Sequence, residues 1–465
     1  PADLPAPAPP PSGARTASAA VEGSPRYRGS WSQHDMWQMD RPVSAALAPA
    51  DLHRQIPVLW MRSRMPVRGP LDPTALAAAL RATFARYPIL TSIVRSSDDG
   101  RRAPPTVEVI AGWLPDLEVL DLPDAAAPDP AATRAVEERW FAAPLDPSAG
   151  PPARLGLARL GPDDHVILLS QHHLFTDGLS LARFWREVLA RAVAAPSGAT
   201  PAVGAPGPSF EHHTRALDAW LASPASAAAR GYWARALAGA QPIAVPADRE
   251  RTRPTDFAGD RVELVVPAAL CARLDAVRTA ERAGRFAVVL GALARTLATT
   301  TGQADLLFVT YHANRVLPTL PATAEVVGPL AQALPLRVRV APTEPARATL
   351  RAAQRCLEDA LEHGAVPVPY LREVVGLDLP LPRVSVMYQA FLPPTLIQAG
   401  PLTITAPEPL GFGPGRASFD LELVVWPDGG GLRGVLAYAT QVFERATVER
   451  LAAQLLATLT ALADG

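Results

Sequence analysis

The passage from Val166 to Leu189 leaves the least freedom to any fold that contains it. Val166-Ile167-Leu168-Leu169 is an unbroken apolar run of strand length. Leu179 to Leu189 repeats its apolar residues at helical spacing. Between them lies Gln171-His172-His173-Leu174-Phe175-Thr176-Asp177-Gly178. The passage therefore reads as a buried strand that runs through a loop into an amphipathic helix, a place where a rigid scaffold presents reactive groups. Histidine is the side chain best placed to take a proton near neutrality. An aspartate four residues after His173 can hold the loop by pairing with a cation, and Gly178 tolerates a positive φ or a close approach. Taken alone, a His-His pair is also what a satisfied core or a surface carries. His-x-x-x-Asp could equally be half of a metal site, although no cysteine cluster or second histidine cluster at ligand spacing completes one.

The remaining chain narrows the classes. Its 465 residues are enough for two or three lobes with sizeable cores. A formal net charge of −1 gives no global field to draw nucleic acid or an anionic membrane. No apolar run is long enough to span a bilayer. There is no lysine, so every permanently cationic side chain is an arginine, and Asn314 is the only asparagine. Cys271 and Cys356, each in an apparent helix, make no disulfide framework and suit a reducing cytoplasm. Residues 1–24 are rich in Pro, Ala and Ser and read as an extended, disordered linker rather than a signal peptide. Residues 196–208, rich in Pro, Gly and Ala, mark the best boundary between an N-terminal lobe at 25–195 and a C-terminal lobe at 209–465.

Further blocks fall in order along the chain. Ser30, Gln33 and Trp37 open a helix, with Ser30 as cap. Ile56 to Arg62 is a strand candidate that contains Pro57. Asp72-Pro73 starts a helix whose buried face is Leu76, Leu80 and Phe84. Arg86 to Thr91 closes it, and Ile89 to Arg95 reads as a strand. His212-His213 reads as part of a solvated helix. The strand Asp305 to Tyr311 leads into His312-Ala313-Asn314-Arg315. Val327-Gly328 and Gln332-Ala333-Leu334-Pro335-Leu336-Arg337 follow, and Val384 to Gln389 is a later strand.

Together these blocks resemble the condensation domains of non-ribosomal peptide synthetases, within the chloramphenicol acetyltransferase-like superfamily. His-His-x-x-x-Asp-Gly resembles their active-site motif. Ser30, Gln33 and Trp37 match the opening motif, Arg86 and Leu90 the second, and Val327, Gly328 and Leu334 to Arg337 a downstream one. There are departures. Asp35 stands where the family usually has a basic residue, Gln332 where it has Asn, and Leu179 where it often has Trp.

The resemblance implies an α/β (α+β) fold of two acyltransferase-like lobes, a V-shaped pseudo-dimer with a central tunnel. Donor and acceptor carrier proteins would bring substrates on 4'-phosphopantetheine, with no directly bound cofactor and no metal. The acceptor's amine, less often a hydroxyl, would attack the donor thioester. The implied roles are as follows. His173 faces the tunnel as base or orienting group, and His172 bonds into the scaffold. Asp177 pairs with Arg315 across the lobes, and the Gly178 N–H approaches the oxyanion. Gln332 and Ser385 position substrate. Neighbouring synthetase domains are the other expected partners, and the linker-like N-terminus suits one domain of a multimodular synthetase. The alternatives are a non-catalytic docking domain of the same fold, an acyltransferase using acyl-CoA, and an epimerisation domain.

Overall fold

The computed structural model describes residues 24–46, 59–97, 102–121, 130–141, 145–150, 152–195, 198–250, 258–317, 319–320, 322–340, 343–380, 382–390, 396–405, 408–409 and 417–464. The N-terminal linker, apart from Ser24, lies outside them, as do Ile56, Pro57 and Val58 of the first strand candidate and residues 196–197 of the lobe boundary.

The first half runs β1 (Arg26–Arg28), α1 (Trp31–Ala46), β2 (Trp60–Arg68), α2 (Pro73–Arg86), β3 (Ser92–Arg95), β4 (Thr106–Val109), β5 (Leu117–Asp121), α3 (Pro130–Phe141), β6 (Ala153–Arg159), β7 (Asp164–His172) and α4 (Gly178–Ala194). Its helix starts follow from local chemistry. At α1 the Gln33 N–H donates to Ser30 Oγ at 3.1 Å and the Ser30 N–H to Gln33 Oε1 at 2.9 Å, a reciprocal capping box. At α2, Asp72 accepts from the Thr74 N–H at 2.8 Å while Pro73 takes the first helical position. The strand expected from Ile89 to Arg95 is shorter. Pro88–Thr91 form a 3₁₀ turn, closed by the Thr91 and Ser92 hydroxyls donating to the Pro88 carbonyl at 3.0 and 2.8 Å, and β3 begins only at Ser92.

The second half runs α5 (Phe210–Ala222), α6 (Ala227–Ala236), β8 (Gly259–Val266), α7 (Ala268–Ala280), α8 (Arg285–Thr301), β9 (Asp305–His312), β10 (Gln332–Arg339), α9 (Ala346–Glu362), α10 (Val368–Glu373), β11 (Val384–Tyr388), β12 (Leu396–Ala399), β13 (Leu402–Thr405), β14 (Glu408–Pro409), β15 (Leu421–Asp428), β16 (Gly431–Ala439) and α11 (Arg445–Asp464). Residues 198–208, ahead of α5, form neither helix nor strand.

A six-stranded sheet has the order β10-β9-β11-β15-β16-β8, with β11 parallel to both its neighbours. One face packs on α7, α8, α9 and α11 through Phe308, Val384, Val386, Leu421 and Leu423. The alternate residues Val309, Tyr311, Ser385 and Glu422 point to the other face. The larger sheet has the order β12-β13-β2-β7-β6-β5, with β14 beside β2, so strands from beyond residue 390 join one built on the first half. Its core gathers Leu76, Leu80, Phe84, Ile167, Leu169, Phe184 and Val188 and also takes in Phe210, Val326, Val327 and Leu330. Trp31 is exchanged the other way, into the core of the six-stranded sheet. The two halves are therefore stitched together by backbone pairing and by side chains. Among the described residues no helix is long and apolar enough to cross a membrane.

Candidate active site

Strand β7 carries the motif to where the halves meet. Its last residue, His172, pairs with Trp60 of β2, and their rings meet edge to face at 4.9 Å. His172 is buried, and its Nδ1 accepts the Leu174 N–H at 3.1 Å. That bond curls the chain into a tight turn and makes His172 part of the scaffold. The His173 N–H donates to the Leu59 carbonyl at 2.7 Å, so pairing with the β2 side continues one residue past the strand. Gln33 of α1 holds the turn from its other side, donating through Nε2 to the Leu174 carbonyl at 2.8 Å. His173 as a whole is half-buried within these surroundings, and its Nδ1 is buried without a hydrogen-bond partner among the described residues. Burial lowers its pKa below the ordinary histidine value, against the opposing pull of the Asp177 charge and the backbone of His173 and Thr176. A neutral ring with a lone pair is the form that can accept a proton.

Asp177 caps α4 and binds four donors. Oδ1 accepts the Ser180 N–H at 2.8 Å and Arg315 Nη2 at 2.5 Å. Oδ2 accepts the Leu330 and Ala331 N–H groups at 2.9 and 3.0 Å. The carboxylate is 2% exposed and fully engaged, so its geometry is that of a clamp and not of a base. The pair is not the two-pronged fork expected of Arg and Asp. Only Nη2 reaches the carboxylate, because Nη1 donates to the Val326 carbonyl at 2.5 Å. Ser180 completes the lock: its Oγ accepts from Arg315 Nη2 at 2.8 Å and from the Gly328 N–H at 3.0 Å, and donates to the Gly328 carbonyl at 2.8 Å.

Two backbone conformations make this lock possible. Asn314 sits at φ 47°, a left-handed position that asparagine tolerates, and turns the chain from β9 to Arg315. Gly328 sits at φ 157°, and a Cβ there would come within 2.3 Å of the Phe210 ring. Only glycine lets this segment pass between Phe210 and Ser180. Gly178 behaves differently from expectation. Its φ is not positive, and a Cβ would meet nothing within 4 Å. The first residue of α4 thus borders open space, with an N–H that the helix itself leaves without a partner.

The remaining expected residues lie apart. Gln332 directly follows Ala331, yet its Nε2 donates to the Gly364 carbonyl, away from the loop. Ser385 sits within the six-stranded sheet, fully buried, and makes no hydrogen bond to the motif. His213 corrects the reading of a solvated pair. His212 is exposed, but His213 is buried on the inner face of α5, close enough to Arg315 and Asp177 to feel their charges. Burial first, and the Arg315 charge second, push its pKa to about 4. The signal was available, since Phe210, His213, Leu217 and Trp220 follow one helical stripe. Ser180 could have been found from its cap spacing to Asp177. Cys271 and Cys356 are free thiols in α7 and α9. Among the described residues no three His, Cys, Asp or Glu side chains gather as a set of metal ligands.

A mixed α+β fold with a histidine loop locked between its halves defines a chloramphenicol acetyltransferase-like scaffold. The chain belongs to the condensation-domain family of non-ribosomal peptide synthetases, whose family model matches residues 57–465. It is 27% identical over 433 residues to the phosphinothricin tripeptide synthetase PhsC of Streptomyces viridochromogenes, an alignment covering 92% of this chain and 38% of that one. Among solved structures it resembles the X-domain from teicoplanin biosynthesis, with a TM-score of 0.79 and 22% identity over 96% of both chains. It also resembles the first condensation domain of the calcium-dependent antibiotic synthetase, solved with a substrate analogue, at TM-score 0.72 and 21% identity over 95% of this chain and 96% of that one. The chain spans 38% of the length of PhsC and between 5% and 33% of seven further curated relatives.

Proposed function

We propose that this chain is a catalytically competent condensation domain. It joins a carrier-tethered acyl or peptidyl thioester to the amine, less often the hydroxyl, of a carrier-tethered acceptor. The observation that carries this reading is the division of labour in the loop: Asp177 has its lone pairs occupied by four donors, while the half-buried His173 beside it has its pKa lowered by burial and its Nδ1 without a partner among the described residues. The lobes proposed are residues 25–195 and 209–465, joined through 196–208, with β12–β14 lent by the second to the sheet of the first.

In the proposed reaction the acceptor nitrogen attacks the donor thioester carbonyl. Its proton passes to His173, and the tetrahedral oxyanion faces the open N–H of Gly178. The carbon–sulfur bond then breaks, the pantetheine thiolate recovers a proton, and the amide remains on the acceptor carrier. Holding both thioesters in one channel supplies proximity in addition.

The test is a transfer assay with two loaded carriers, read by intact-protein mass spectrometry. Donor mass is expected on the acceptor carrier, and His173→Ala should slow its appearance by about 100- to 10,000-fold. Undiminished transfer in the variant would reduce His173 to a positioning role. The likeness to an X-domain, a fold also solved in complex with OxyB, motivates a second reading as a docking domain. Absence of transfer by the unmodified chain across a broad substrate panel would favour it.

A further inference from the structure

The face of the six-stranded sheet turned away from its helices carries a short polar row. Val309, Ser385 and Glu422 stand side by side on β9, β11 and β15. Tyr311 lies two residues further along β9 on the same face, and it is 44% exposed although its neighbours in the row are buried. Glu422 is 5% exposed and makes no ion pair with any described residue, in a chain without lysine. The Ser385 hydroxyl completes no hydrogen bond, yet it lies near enough to favour an ionised Glu422. Burial of this carboxyl raises its pKa to about 7. Asp35 of α1 lies near enough to act on Tyr311; burial raises its pKa, against the pull of Arg372 at 3.6 Å and of His34.

Two short stretches of chain link the row to the candidate active site. Tyr311 is four residues before Arg315, which holds Asp177. Asp35 is two residues after Gln33, which holds the Leu174 carbonyl. A buried carboxyl beside a hydroxyl and a phenol, without a cation among the described residues, disfavours anions and gives a neutral apolar group nothing to bond. A primary ammonium matches it, with one positive charge for the carboxylate and three donors to share among the carboxylate, the hydroxyl and the phenol.

We propose that Glu422, Ser385 and Tyr311 form a recognition site for the alkylammonium group of a carrier-tethered aminoacyl substrate. This rests on the condensation reading for the source of the ligand. The ammonium could belong to the α-amine or to a side chain, and the probes separate the two.

Three pantetheine amides, ornithyl, norvalyl and pentanoyl, are titrated calorimetrically into the whole chain and into Glu422→Gln. A side-chain ammonium gives tighter binding of the ornithyl amide alone, and an α-ammonium gives tighter binding of both aminoacyl amides over pentanoyl. In either case the preference should be about tenfold or more, the weight of one charge-assisted hydrogen bond, and should vanish in Glu422→Gln. Equal binding of all three amides to the unmodified chain, or a preference that survives in the variant, overturns the proposal. Because the substitution removes a buried charge, the variant should melt no lower than the unmodified chain at pH 7.5, which separates lost recognition from lost folding. The transfer assay is run beside these titrations. Amine preference without transfer keeps this site and removes the condensation reading. Transfer without amine preference does the reverse.

Discussion

Asp177 and Glu422 are both carboxyls withdrawn from water, 2% and 5% exposed, and they are treated in opposite ways. Asp177 meets two backbone N–H groups from the other half of the chain, one from its own helix, and a guanidinium. Glu422 meets a serine hydroxyl and, among the described residues, no cation. A buried charge is strongly unfavourable unless it is paired and hydrogen-bonded. So the first site, paired and fully hydrogen-bonded, serves as a rivet. The second resists ionisation and would gain from an outside cation. The contrast separates a group that builds the site from one placed to respond to what enters it.

The sharpest way to break this comparison is to remove the rivet. Asp177→Ala leaves Arg315 buried without its counter-charge and strips partners from Leu330 and Ala331. It should cost about 3–5 kcal/mol, read as a lower urea midpoint, and the double variant with Arg315→Ala should recover part of that loss.

Glu422→Gln should move stability the other way. Because the folded-state pKa of about 7 lies above the ordinary glutamate value, the unfolded chain ionises first as pH rises. The unmodified chain therefore loses stability from the ordinary glutamate value up to about pH 7. The variant's advantage should be near zero at pH 4, grow across that window, and level off above it at roughly 3 kcal/mol. Thermal melts across pH would check both sign and window.

Ser180→Ala tests whether the rivet depends on its neighbour. It leaves the Gly328 N–H and carbonyl without their hydroxyl and should cost about 1–3 kcal/mol in the same urea measurement. Gly178→Ala should have the smallest effect on folding, within about 0.5 kcal/mol, since its φ is not positive and a methyl meets no atom. If the open side of Gly178 is where the reacting carbonyl sits, the same variant should slow transfer while leaving the melt unchanged.

Much of the site was legible because its chemistry is local. The strand run, the two histidines, the cap at Asp177 and the start of α4 are consecutive, and their spacing alone dictates strand, turn and helix. The Ser30–Gln33 capping box is equally local. Its second task, the bond from Gln33 to the Leu174 carbonyl, spans 141 residues and left no mark on spacing. The same holds for the split of the Arg315 guanidinium between Asp177 and Val326. Gln332 was placed by its position inside the downstream motif, and the spacing said nothing of the Gly364 carbonyl to which its Nε2 donates while its Oε1 stays buried without a hydrogen-bond partner among the described residues.

The sequence by itself determined the strand and helix that carry the motif, where its loop falls, and the absence of any lysine to neutralise a carboxylate. Periodicity, caps and composition are properties of neighbouring residues, so they can be read without coordinates. Tertiary structure alone decided that β12–β14 leave their own half to pair beside β2. It decided too that His213 lies under the Arg315 lock, and that Ser385 and Glu422 face each other on adjacent strands. Those outcomes depend on strand order and on which face of each sheet is covered. Both are set by the packing of residues hundreds of positions apart, and that packing decides whether a carboxylate becomes a rivet or stays without a counter-charge.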